Sequence, residues 1–142
     1  MRIVFVTSRF PYPVEKGDKL RAFHQIRMLS AHHEIHLVAI SHNDIAPEHL
    51  DAMAPYCKTI KVFPIHKWLI PLQLVLGWIE GLPLQVSYFL DRTIKRKVQY
   101  HIIHLEPDHV ICQLIRASTY VRALPFPKTL DYMDVFSEGM LQ

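Results

Sequence analysis

The sequence predicts an α/β fold, three layers deep, with helices on both faces of a mostly parallel sheet. Three observations predict it. Short runs rich in Val, Ile and Leu recur along the 142 residues and read as buried strands. Stretches of helical spacing separate these runs, so strand and helix alternate. A hydrophobic fraction of 50% with 20% charged residues suits one domain with a substantial core and excludes disorder. Right-handed crossovers would make the layer Rossmann-like.

The elements follow in order. Ile3–Thr7 is the first strand, and Thr7 to Pro13 a loop rising from its end. Gly17-Asp18-Lys19 opens an amphipathic helix from about Asp18 to His32, with Leu20, Phe23, Ile26 and Leu29 at helical spacing. Asp18 reads as an N-cap or first-turn acid, and His32-His33 suit the negative end of the helix dipole. Ile35–Ile40 is the second strand, Pro47 to about Tyr56 a short helix, and Thr59–Phe63 the third strand. Residues 66 to 104 hold two helical stretches split around Gly81-Leu82-Pro83. The second, about Ser87 to His104, carries Arg92, Lys95, Arg96 and Lys97. His109–Gln113 is the fourth strand, Leu114–Ala123 a helix, and Thr129–Tyr132 the fifth strand after the breaker Pro125-Phe126-Pro127. A further helix is expected to start at Ser137, where the sequence then stops, so an interrupted gene or a trimmed sequence is expected.

A net charge of +3 and a pI near 8.9 allow phosphate-bearing ligands or an anionic membrane, but are too weak to indicate nucleic acid. Cys57 and Cys112 lack metal spacing and read as reduced core thiols of a cytoplasmic protein. Met1-Arg2 runs directly into strand without a cleavage site, so no signal peptide is expected. The most apolar stretch, Trp68 to Ile79, is shorter than the roughly twenty residues a spanning helix needs.

In open α/β sheets ligands bind beyond the carboxyl ends of the strands. That rule selects Ser8-Arg9-Phe10, Ser41-His42, Gln113 with Arg116, and Asp131 to Asp134. Gly17 is the sharpest candidate, because a glycine before a helix lets backbone N–H groups face a phosphate. Arg9, Lys16, Lys19 and Arg21 surround the same loop as contacts for a phosphorylated acceptor or donor; Asp18 reads as a cap rather than a base. No G-x-G-x-x-G or G-x-x-x-x-G-K-[ST] occurs, which disfavours a dinucleotide or triphosphate. His101 and His104 share a helix face near His109, but no carboxylate or cysteine completes a metal set, so no metal is expected.

The opening RIVFVTSRFPYPVEKGDKLRAFHQIRMLSAHHEIHLVAI resembles the N-terminal domain of the family-4 glycosyltransferases, GT-B enzymes of bacterial envelope and exopolysaccharide pathways. The likeness spans nearly the whole chain and is dense over residues 2 to 40. It implies that residues 1–142 are the acceptor-side half of a GT-B fold, with the C-terminal donor-binding domain absent and the fragment inactive alone. The whole enzyme would move a hexose from a nucleotide sugar, its co-substrate, to a saccharide or lipid-linked glycan, with retention and without a required metal or other cofactor. In that family a glycine in the first loop approaches the donor diphosphate, the role implied for Gly17; many relatives have two adjacent glycines, where this chain has Lys16-Gly17. Family members often place a histidine after the fourth or fifth strand. Here Gln113 and Asp131 hold those places, so no catalytic residue is carried over, and Asp131 and Asp134 are candidate contacts for acceptor hydroxyls. The family's Glu-x7-Glu pair belongs to the missing half.

Trp68 and Trp78 lie in the apolar stretch, with Lys61, Lys67 and the Arg92–Lys97 run nearby. That suits either the inner face of a plasma membrane or a helix packed on the sheet or in a dimer, and the sequence leaves both open. A missing second half would also expose apolar surface, so self-association is expected. The alternative to an enzyme half is a non-catalytic flavodoxin-like module for a ligand or partner. A receiver domain is disfavoured because Thr7-Ser8-Arg9 ends the first strand without a phosphoacceptor aspartate.

Overall fold

The computed structural model describes residues 1–12, 17–41, 44–65, 70–82, 92–113 and 117–131. Lys16, Trp68, Arg116 and Asp134 lie outside them, as do His42, Lys67, Tyr132 and Ser137; of Asp18 only the backbone is described. The elements are β1 (Arg2–Thr7), α1 (Gly17–Ser30), β2 (Glu34–Ser41), α2 (Pro47–Met53), β3 (Thr59–Pro64), α3 (Ile70–Ile79), α4 (Arg92–Leu105), β4 (His109–Gln113), α5 (Ser118–Val121) and β5 (Lys128–Asp131).

All five strands are parallel, in the order β3-β2-β1-β4-β5. Among the described residues the sheet is parallel throughout, and the fold is the three-layer Rossmann-like α/β sandwich that the sequence predicts. Both β2 and β3 lie on one side of β1, which differs from the 2-1-3-4-5 order of flavodoxin-like sheets. The order in which strands are added reverses between β1 and β4, and a crevice at the carboxyl edge opens at such a point.

The central strands are buried along nearly their whole length because both faces are covered. Ile3, Phe5, Ile35, Leu37 and Ala39 pack with Ala22 and Ile26 of α1 and Met53 of α2. Val4, Val6, Val38 and Ile40 pack on the other face with Ile94, Val98 and Ile102 of α4 and Tyr120 of α5. Leu20, expected on the buried stripe of α1, faces solvent; Ala22 and Ile26 take the innermost places, with Phe23 and Leu29 half-buried beside them. Helix α2 stops at Met53, before the expected Tyr56. Ala54 donates the last helical bond, to the Leu50 carbonyl at 3.0 Å, and Pro55 has no N–H to continue it. Gly81 ends α3 at φ +75, and Leu82 N–H reaches back to the Gly77 carbonyl at 2.8 Å, the bond that closes a left-handed helix cap. Cys57 and Cys112 are buried thiols, and burial pushes each up to about 12, so both resist ionisation.

Charged residues fasten the amino edge of the sheet, opposite the ligand edge. Arg2 Nε donates to Glu34 at 3.0 Å, Lys58 Nζ lies 2.8 Å from the same carboxylate, and the Arg2 N–H donates to Asp108 at 2.7 Å. Lys58 and Arg2 together hold Glu34 down at about 2. His36 and His101 are pushed below the ordinary imidazole value by burial. All three shifts act with one sign. The unfolded chain takes up protons on both imidazoles as pH falls through about 6.5, while the folded protein resists, so their contribution is full above that value and fades below it. Glu34 contributes fully above its ordinary 4.5 and loses its contribution as pH falls toward 2. Urea unfolding across this range is expected to show a first decline below about pH 6.5. A second decline below about pH 4.5 should be flattened by Glu34→Gln. An unchanged acid limb in that variant would mean the pairs do not hold in solution.

Candidate functional site

The carboxyl edge collects polar side chains onto the face that α1 covers. On β1 the residues alternate between faces, and Ile3 and Phe5 belong to the α1 side, which places Thr7 there. On β4, Ile111 packs on the same side, so Gln113 follows it. Val6 pairs with Cys112 and Gln113 with Asp131, so Thr7, Gln113 and Asp131 stand in one row across β1, β4 and β5. This row lies beside the reversal point, and the first turn of α1, opened by exposed Gly17, sits at the same edge.

Thr7 is wholly buried and Ser8 is 2% exposed, yet among the described residues neither hydroxyl has a hydrogen-bond partner. A buried hydroxyl left unpaired typically costs about 1–3 kcal/mol. Two such hydroxyls in succession close the central strand, an arrangement that a polar ligand or a buried water could complete. Phe10, which the strand-end rule selected, instead packs its ring into the α1-side core, because an aromatic ring gains most by burial there. Tyr12 follows, its ring 6.2 Å from Phe23 and 5.4 Å from His49, so the loop leaving Thr7 is anchored on α1 and α2.

No protein-family model and no curated protein matches the chain.

Arg21 and Asp131, both expected to contact ligand, hold each other. Arg21 Nε donates to Asp131 Oδ2 at 2.8 Å and Nη2 to Oδ1 at 3.0 Å, while Gln25 Nε2 adds a third bond at 3.0 Å. The bidentate Arg21 contact comes first among the causes that keep the Asp131 carboxyl below the usual range. Asp131 is thus a fixed anion that ties α1 to β5, unsuited to taking up a proton at neutral pH. Gln25 was not singled out in the sequence. Its signal was available, one helical turn after Arg21 on the same face. Gln113 is buried at 3% exposure, whereas Arg9 and Lys19 are half-buried beside the α1 end.

His101, His104 and His109 do not converge. His101 lies against Phe63, with ring centroids 5.9 Å apart; His104 Nδ1 bonds the Tyr100 carbonyl at 2.8 Å; His109 Nε2 meets Thr129 Oγ1 at 2.7 Å. Among the described residues no three His, Cys, Asp or Glu side chains come together as a metal site. The edge can bind an oxygen-rich ligand through two hydroxyls, helix-end N–H groups and nearby cations. No activated nucleophile or raised carboxylate occurs among the described residues of this edge.

Proposed function

We propose that the chain is the acceptor-side half of a GT-B glycosyltransferase that moves a sugar from a nucleotide-sugar donor to a saccharide or lipid-linked acceptor, as in exopolysaccharide assembly in the cytoplasm. One observation carries the reading: Thr7 and Ser8 leave two buried hydroxyls unpartnered at the carboxyl end of the central strand, at the reversal point. Sugars and phosphates both present the oxygens such hydroxyls bind. The resemblance of residues 2 to 40 supplies the reaction class, and the position of Gly17 at the start of α1 suits a close approach of a diphosphate.

On this reading the pure 142-residue chain is expected to transfer no sugar, because stabilising the departing diphosphate requires groups on both sides of a cleft. Radiolabelled nucleotide sugars with a panel of saccharide acceptors test this, and turnover by the chain alone would overturn the half-enzyme reading. Co-expression with a second α/β half bearing a Glu-x7-Glu pair, encoded beyond codon 142 or beside the gene, is expected to restore transfer. Absence of any such half would favour the non-catalytic binding module.

A further inference from the structure

Helix α3 is turned inside out. Its sequence is apolar on nearly every side, yet the residues it buries are Gln73 and Gly77. Leu72, Val75, Trp78 and Ile79 are exposed on the other side at spacings of three, four and seven, Trp78 at 79%. Gln73 is 5% exposed, and among the described residues neither its amide nitrogen nor its oxygen has a hydrogen-bond partner. A helix meant to face water gains nothing from this orientation, since it strands an amide inside and presents apolar surface outside.

The end of α3 opens on a cationic cleft of about 390 Å³, which α4 and α5 complete. Arg92, Lys95, Arg96 and Arg122 line it, with Glu80 as the one carboxylate among the lining residues, held by Arg92 at 2.6 Å. Among the described residues Lys95, Arg96 and Arg122 have no ion-pair partner. Thr119 borders the cleft at 5% exposure, and its hydroxyl too lacks a partner. Leu82, Thr119 and Arg122 also border an adjoining cavity of about 510 Å³, where Cys112, Val121 and Leu130 supply apolar wall.

We propose that this cleft binds the phosphate of an anionic membrane lipid, with the exposed face of α3 lying at the headgroup boundary and the adjoining cavity receiving part of the hydrocarbon. Each of the three contiguous features matches one part of such an amphiphile. The unpaired cations and the Thr119 hydroxyl fit phosphate oxygens; the apolar cavity and the α3 face fit the chain and the bilayer boundary. A free phosphate leaves the last two without a role. A two-fold contact between copies through α3 would bring two cationic clefts together. None of these residues belongs to the Thr7–Gln113–Asp131 row, so the proposal stands apart from the reading of that edge.

The test is co-sedimentation of the 142-residue chain with phosphatidylcholine vesicles, with and without phosphatidylglycerol, at low and high salt. Binding is expected only with phosphatidylglycerol, weakened by salt, with a blue shift of tryptophan fluorescence. A basic residue near an anionic surface is worth about fivefold in affinity, so Arg96→Gln with Arg122→Gln should weaken binding about 25-fold. Both side chains are exposed, so circular dichroism and melting should match the parent. Trp78→Ser should weaken binding separately. Absence of binding, full binding by the double variant, competition by inorganic phosphate at matched phosphate concentration, or dimerisation that shields Trp78 without vesicle binding would each overturn the proposal.

Discussion

Thr7→Val is expected to make the protein more stable and its ligand edge worse. Valine keeps the shape of threonine and suits a buried strand, while the unpaired hydroxyl leaves the interior. The gain should be about 1–2 kcal/mol, a rise in melting temperature of roughly 3–6 °C for a domain of this size. In an enzyme carrying both halves, the same change should cost about tenfold or more in kcat/KM, the loss of one hydrogen bond to a polar ligand. Opposite signs in the two assays are the mark of a site held ready at the expense of stability. A lower melting temperature would show that the hydroxyl is bonded in solution, most simply to a buried water, and that its role is structural.

Gly17→Val carries the largest expected loss of function. At the first position of α1 a side chain would stand where the proposed diphosphate meets the helix-end N–H groups, and sugar transfer by the two-half enzyme should fall at least about 100-fold. Stability should hold, since valine is no worse than glycine in a helix. Wild-type kinetics in the variant would leave the glycine with no part in binding. A matched loss of folding would move the explanation to packing around α1, so melting is measured beside the kinetics.

The element order was legible because the two periodicities are local. Ile3 to Val6 and Leu37 to Ile40 are apolar without alternation, a pattern produced by burial on both faces, and the strand ends fell within a residue of the structure. The ends of the later helices were less legible. Pro55 stops α2 through a missing donor, while α5 is described only over Ser118–Val121, with residues 114–116 outside the description. The strand-end rule found the right edge of the sheet but assigned its residues one by one. It placed Asp131 against ligand, as the loop around Gly17 did Arg21, and it passed over Thr7, which reads as an ordinary strand residue.

The sequence by itself determined the α/β class, the parallel sheet and the edge where ligands would meet it, since these follow from residue type and spacing along short stretches. Only the tertiary structure decided which polar groups find partners. Arg21 and Asp131 are 110 positions apart, and they meet because β5 lies beside β4 and α1 crosses the face they share. Thr7 keeps its hydroxyl unpaired for the complementary reason: among the described residues nothing around the end of β1 offers it a bond. The orientation of α3 was likewise closed to the sequence. A helix apolar on almost every side carries no periodic preference for which side to bury, so packing alone turned Gln73 inward and Trp78 out.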